Sequence, residues 1–332
     1  MTLAVQYPLF GRRSTGVDVR AKWFTVWYDE IRKRIPTHFV RLFYVQPSRA
    51  THWMYRQQLR LLEQPGMVTH IISHMQSFLL QRRGRCPTVI TCFDLSVPWT
   101  AKRLPLADRV IVTARGLRSE LEGLVRLEHE PEVVYLAVPS TYRPRDVPRA
   151  PGQLLYVGTE LPRKNVEGLL RIVARIARTR PVTLVKVGAS SPSRPRLLAL
   201  ARELGIADRV QWRDFVPEPE LVDLYQTSSV TMVPSFLEGF SMPCLEAMSC
   251  GCPLVASSRS VMPEIVGPGG ELVDPADEEA WAEAVLRILD DPRVASDLSR
   301  RGLTRATFFS ASRSADQVVE VYGQVSPDVA GT

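Results

Sequence analysis

The sequence predicts an α/β protein of two domains, each a parallel sheet covered by helices, and three observations carry that expectation. The chain has 332 residues, long for one domain and comfortable for two. Its second half alternates short apolar runs with helix-period segments, the pattern of strands joined by crossover helices. Between the halves, Pro139, Pro144, Pro148 and Pro151 punctuate a stretch with little to bury, which reads as a linker. The expected division is therefore residues 1–149 and 150–309, with a last helix at about 310–323 returning to the first domain.

In the first half, residues 39–45, 68–72, 88–92, 110–112 and 133–136 are short apolar runs that read as strands. Helices are expected between them, at 19–34 and 118–127. The second half is clearer. A strand at 154–158 ends on Gly158, and a helix at 166–178 sets Leu169, Leu170, Val173 and Ile176 on one face. A strand at 182–187 ends at Gly188, and a helix at 196–204 stops at Gly205, a suitable C-cap. Strands at 210–212, 230–233 and 254–256 then alternate with helices at 218–227 and 243–249, followed by an amphipathic helix at 278–289.

Hydrophobic residues make up 45% of the chain and charged residues 23%, ordinary for a globular protein. No apolar run approaches the ~20 residues of a membrane-spanning helix. The apolar stretch at the N-terminus is short and broken by Pro8, so no secretory signal is read and a cytoplasmic location is expected. Five cysteines, an odd number, argue against a disulfide framework, and Cys244, Cys250 and Cys252 have no nearby histidine or C-x-x-C partner to make a metal site. No metal or other cofactor is expected.

Charge is unevenly distributed. Residues 1–107 hold 16 Lys and Arg against 5 Asp and Glu, whereas residues 151–332 hold 19 against 23. A basic first domain attracts something anionic: a membrane surface, a phosphorylated acceptor or a nucleic acid. No nucleic-acid module accompanies the charge, so no nucleic acid is expected. Trp23, Trp27 and Tyr28 among Arg20, Lys22, Arg32, Lys33 and Arg34, and the run His52-Trp53-Met54-Tyr55-Arg56, suit an anionic membrane interface or an ordinary helix with an aromatic core face.

The most informative stretch is residues 234–257, PSFLEGFSMPCLEAMSCGCPLVAS. Glu238 follows a strand and opens a turn on Gly239, Pro243 suits the first turn of a helix, and Glu246 lies on that helix. A helix N-terminus beside a glycine turn binds anions, and carboxylates at its edge accept hydrogen bonds from hydroxyls. A ligand both phosphorylated and rich in hydroxyls, such as a nucleotide sugar, fits that combination.

The string Glu238, Gly239, Phe240, Ser241, Met242, Pro243, Glu246, Ala247, Met248, Gly251 and Pro253 resembles the donor motif of the family 4 retaining glycosyltransferases. The resemblance runs over about residues 66–323 and implies the GT-B fold, two Rossmann-like domains facing a central cleft. It implies transfer of a hexosyl group from a UDP-sugar or GDP-mannose to an acceptor, with retention of configuration and without metal. Glu238 would then hold sugar hydroxyls with amides around Gly239, Phe240, Ser241 and Met242, and Glu246 would hold the ribose. In Gly158-Thr159-Glu160-Leu161-Pro162-Arg163-Lys164, Lys164 matches the lysine that faces the diphosphate, and Arg163 adds a second cation. Phe215 and Val216 fall on the loop that lines the base.

On the acceptor side, Gly16 resembles the glycine loop before the first helix, while Asp94 follows Phe93, which occupies the place of a common histidine. His74 ends the preceding strand and is the candidate to serve in its stead. Thr159 likewise stands where many relatives have arginine. These two departures leave a second expectation open: a degenerate accessory protein that binds nucleotide sugar without turnover.

Overall fold

The computed structural model of the chain describes residues 4–10, 26–42, 49–64, 66–81, 86–95 and 97–326. These form two compact units. Unit 1 takes in residues up to Ala137 together with the chain from Phe309 onward, and unit 2 is Val138–Phe308.

Unit 1 contains strands β1 (Val5–Phe10), β2 (Thr37–Leu42), β3 (Val68–Ile71), β4 (Thr88–Cys92), β5 (Arg109–Val112) and β6 (Glu132–Val133), with helices α1 (Arg49–Leu62) and α2 (Arg115–Leu124). Its sheet is parallel, in the order β2-β1-β3-β4-β5-β6. β1 was not anticipated from sequence, because Pro8 breaks its apolar run and proline is disfavoured inside a sheet. The strand accommodates Pro8 because its pairing with β3 is confined to Val5 and Gln6, while β2 pairs along its length. Residues 26–31 are helical, with Trp27 and Ile31 in the core, so the described part of this aromatic and basic segment has an ordinary buried face.

Unit 2 contains β7 (Ala150–Val157), α3 (Val166–Ala177), β8 (Thr183–Val187), α4 (Arg194–Glu203), β9 (Val210–Arg213), α5 (Glu218–Thr227), β10 (Ser228–Val233), α6 (Met242–Ser249), β11 (Leu254–Ser257), α7 (Met262–Val266), β12 (Glu271–Val273), α8 (Glu278–Asp290) and α9 (Pro292–Ala306). The sheet order is β12-β11-β10-β7-β8-β9, again all parallel. Both faces are covered, so β10 is buried at nearly every position rather than at alternate ones. Leu169 and Val173 of α3, Leu184 of β8, Met232 of β10 and Trp281 of α8 belong to one core.

The proline-rich stretch is not a free linker. Residues 138–149 belong to unit 2, which moves its start about twelve residues earlier than the sequence suggested. Tyr142 is buried against Tyr225, Gln226 Nε2 donates to Arg143 O at 2.7 Å, and Arg149 Nη1 donates to Ser228 O at 2.8 Å. The prolines remove helix and strand options, but these side chains still have buried partners.

The last helix, α10 (Ala311–Val325), packs within unit 1. Its Tyr322 hydroxyl lies 2.6 Å from His70 Nδ1 and 3.1 Å from the Tyr7 hydroxyl, and His70 Nε2 lies 2.8 Å from Thr91 Oγ1. Ser314 Oγ donates to Tyr135 O at 2.7 Å, and Arg34 Nε pairs with Asp316 at 2.6 Å. Burial pushes the His70 pKa down to about 3, so the ring is neutral in the folded protein.

Candidate functional site

In open α/β sheets the ligand crevice opens at the carboxyl ends of the two strands where the winding direction reverses. In unit 2 those strands are β7 and β10, which are neighbours. The loop after β7 carries Gly158, Thr159, Arg163 and Lys164, and the loop after β10 carries Glu238 through Ser241. Two sequence candidates 74 residues apart are thereby joined: Lys164 Nζ lies 2.5 Å from Glu238 Oε1. Phe236 N also donates to Arg163 O at 2.8 Å, tying the loops through their backbones.

Each loop is locally determined. Pro162 opens a single turn, Pro162–Lys164, and Asn165 ends it at φ 55°, a left-handed conformation that asparagine tolerates. The Asn165 side chain then caps α3 by accepting from Gly168 N at 3.2 Å. On the other loop, the Ser260 hydroxyl accepts from Glu238 N at 3.2 Å and donates to Glu238 O at 2.9 Å. Ser241 precedes α6 at φ 73°, a strained conformation for a residue with a Cβ, and Pro243 lies in the first turn.

Glu238 is buried, and its oxygens differ. Oε1 accepts from Lys164 and from Ser235 Oγ at 2.9 Å. Oε2 has Arg163 Nη1 at 3.6 Å, beyond a good hydrogen bond, because that nitrogen donates to Leu237 O at 3.0 Å. Glu246, one turn into α6, is buried under two tyrosines. Tyr225 OH donates to its Oε2 at 2.7 Å, and Tyr142 is hydrogen-bonded to the same carboxylate. Burial, then the charge of Glu246, pushes both phenols above their ordinary range, so they stay protonated donors. Gly239, Phe240 and Ser241 are buried around the turn, Met242 opens α6, Val216 is buried and Phe215 is 70% exposed.

All five cysteines are buried and unpaired, and burial pushes Cys244 up to about 12. Among the described residues, no group of three or more His, Cys, Asp or Glu is placed to hold a metal.

The family model described as "Glycosyl transferases group 1" matches residues 143–305. The O-antigen chain mannosyltransferase B of Escherichia coli is 30% identical over 287 residues, covering 76% of this chain and 74% of that protein. The chain belongs to the group 1 glycosyltransferases.

The MMP alpha-(1->4)-mannosyltransferase of Mycolicibacterium hassiacum is 40% identical over 175 residues, 52% of this chain and 42% of that protein. The chain thus spans about half the length of several curated relatives it matches. Among solved structures, the sucrose-phosphate synthase of Thermosynechococcus elongatus aligns with a TM-score of 0.80 at 20% identity, over 97% of this chain and 98% of that one. HepE of Anabaena, solved with UDP and glucose, aligns with a TM-score of 0.75 at 16% identity, over 97% and 100%. The fold is GT-B in class: two Rossmann-like units, each with a six-stranded parallel sheet.

In unit 1, the direction reverses between β1 and β3. Gly16 lies outside the described residues. His74 is buried at the start of the turn His74–Leu79, after Ser73, whose hydroxyl accepts from Met75 N at 3.3 Å. Phe93 N donates to His74 Nδ1 at 3.4 Å, which assigns the ring proton to Nε2, 3.8 Å from Asp94 Oδ1. The structure therefore brings His74 and Asp94 together.

Sequence reading passed over Tyr142, Tyr225 and Ser235, whose roles depend on tertiary neighbours. It also passed over Glu160, Lys186 and Arg194. Their signal was available: Lys186 interrupts the otherwise apolar strand β8, and it is fully buried.

Proposed function

We propose that this chain moves a hexosyl group from a nucleoside-diphosphate sugar to an acceptor hydroxyl, with retention of configuration and without a metal ion. The observation that carries the reading is the Lys164–Glu238 pair at the point where the unit 2 sheet reverses. An ammonium has three N–H donors, so Lys164 can keep Glu238 and still give two to diphosphate oxygens. Arg163 adds a second cation 3.6 Å from the same carboxylate. Fixed cations aimed at the departing diphosphate supply the stabilisation that a metal would otherwise give. Glu238 Oε2 is the oxygen to accept from sugar hydroxyls, with Gly239, Phe240, Ser241 and Met242 closing the turn around them. Glu246 takes the ribose hydroxyls, as a carboxylate that accepts hydroxyl donors from Tyr225 and Tyr142 can accept those of a sugar. Phe215 and Val216 line the base, beside Gly158 and Thr159.

Retention follows from front-face departure and attack, in which the protein positions the reactants rather than offering a nucleophile. His74 and Asp94 serve the acceptor. The donor is a UDP-sugar or GDP-mannose, in keeping with a relative named a mannosyltransferase and a structural neighbour solved with UDP and glucose. Incubation with a panel of such donors and acceptors, in EDTA and in Mg²⁺, should release nucleoside diphosphate equally in both. Tight nucleotide binding with no release across the panel would favour the accessory reading that Phe93 and Thr159 suggest.

Unit 1 is further proposed to rest on an anionic membrane surface at the cytoplasmic side. Trp53 and Leu61 of α1 are 60% and 73% exposed, and Met54 is exposed beside them. Arg56 Nη1 donates to Phe78 O at 3.2 Å and Arg103 Nε to Ser77 O at 3.0 Å, so both cations meet the same turn. Apolar residues beside crowded cations suit an anionic interface. Among the described residues no helix is long and apolar enough to cross a membrane.

A further inference from the structure

We propose that Glu160 is a positioning residue for the nucleoside end of the donor site, a buried anion that pins together the loops following β7, β8 and β9. The proposal rests on the nucleotide-sugar reading above. The Glu160 and Lys186 side chains are both fully buried, with Lys186 Nζ 2.8 Å from Glu160 Oε1. Arg194 Nε donates to the same oxygen at 2.6 Å, and Ser191 N donates to Oε2 at 2.9 Å. Arg194 Nη2 continues to Asp214 Oδ1 at 2.6 Å, while its guanidinium lies 4.6 Å from the centre of the Trp212 ring. Asp214 is also hydrogen-bonded by Ser190, and Lys186 Nζ donates to Gly188 O at 2.5 Å. The carboxylate therefore ties its own loop directly to β8 and the loop after it, and through Arg194 it reaches the loop after β9.

The ionisation pattern agrees with that geometry. Burial alone would raise the Glu160 carboxyl, but donors from Arg194, Lys186 and the Ser191 amide outweigh it and hold it below the ordinary range. Lys186 goes the other way: burial pulls its ammonium down, and Glu160 restores only part. Arg194 is thus the partner that keeps the anion, and Lys186 is the weaker one.

A buried ion pair adds little net stability over apolar residues of the same volume. Directional hydrogen bonds to several loops are what the ions add. Those loops carry the donor residues: Thr159, Arg163 and Lys164 surround or follow Glu160, and Phe215 and Val216 follow Asp214. The Phe215 ring is exposed, and such a face can stack on a base. The loops also meet at backbone distance. Gly188 has φ +130°, and a Cβ there would come within 2.2 Å of Gly158 O, so displacing one loop displaces the other.

The test compares wild type with the Glu160→Leu/Lys186→Leu double variant, which removes both buried charges together. UDP and GDP affinities are measured by calorimetry, with donor KM, kcat and melting temperature alongside. The expected result is a melting temperature near wild type, nucleotide affinity and donor KM worse by about tenfold, and kcat within about twofold. Arg194→Lys, at a partly exposed position, keeps the charge but loses the fork. It should shift KM in the same direction by a smaller factor, and it carries the test if the double variant does not fold. A folded double variant, or failing that Arg194→Lys, that binds UDP and GDP as tightly as wild type would overturn the proposal alone. Wild-type protein that binds neither nucleotide would instead remove the donor reading on which it rests.

Discussion

Each unit buries polar groups, and a cluster in unit 1 differs in chemistry from two in unit 2. In unit 1, His70, Tyr322, Tyr7 and Thr91 form a neutral relay whose hydrogen bonds hold α10 against the sheet. In unit 2, the buried or half-buried groups are ions: Glu160 with Lys186 and Arg194, and Lys164 with Glu238. Neutral hydroxyl and imidazole groups can satisfy one another and then have little left to offer a ligand. A lysine and a carboxylate retain unused donors and acceptors after pairing. The neutral cluster therefore suits attachment of a helix, the Lys164–Glu238 pair suits a site that must receive a charged, hydroxylated molecule, and the fully buried Glu160–Lys186 pair suits holding the surrounding loops.

The strongest way to break this contrast is to remove the ions nearest the proposed chemistry. Lys164→Ala and Glu238→Ala should each lower kcat by about 10²–10³-fold, as loss of a preorganised charge does. Arg163→Ala should cost less, since its contact with Glu238 is longer. Nucleoside diphosphate release, measured with circular dichroism as a folding control, checks this. Turnover near wild type in a folded Lys164→Ala protein would sink the assignment.

Acid should separate the units next. The His70 pKa is about 3 in the folded protein and near 6.5 when unfolded, so between those values the unfolded chain binds more protons. The stability owed to neutral His70 is full above about pH 6.5 and is lost as pH falls toward 3, by roughly 1 kcal/mol per pH unit. Glu160 is held below the ordinary carboxylate range, so its contribution is present above that range and lost only at more acidic pH. Hydrogen exchange at pH 7, 6 and 5 should show unit 1 loosening first, with a shallower slope in His70→Gln. An unchanged slope in that variant would mean that the relay is not the acid-sensitive element.

The smallest effect concerns the exposed apolar residues of α1. Trp53→Ser with Leu61→Ser should weaken flotation with anionic vesicles about tenfold and leave turnover of a soluble acceptor unchanged. Equal binding to neutral vesicles, or to single-stranded nucleic acid instead, would reassign the basic region.

Most strands and helices of unit 2 were readable because its sheet is covered on both faces and its turns carry glycine or proline, although α7, β12 and α9 were not read. Unit 1 was less readable. β1 was hidden by Pro8, and the residues that make its sheet coherent, such as His70 and Tyr322, are polar and distant in sequence. The start of unit 2 was misplaced for a related reason: prolines signal a break in regular structure, but they say nothing about whether Tyr142 or Arg149 has a buried partner.

The sequence by itself determined the turn-and-helix motif from Glu238 to Glu246. Its parts are neighbours along the chain, and local geometry demands glycine and proline at fixed places. Only the tertiary structure decided what those carboxylates touch. Lys164 reaches Glu238 because β7 and β10 lie side by side where the sheet reverses. Glu246 lies beneath Tyr142 and Tyr225 because residues 138–149 fold onto α5. Glu160 stays ionised although buried because Lys186 and Arg194 arrive from the next strand and helix. Those pairings depend on strand order, which no local pattern encodes.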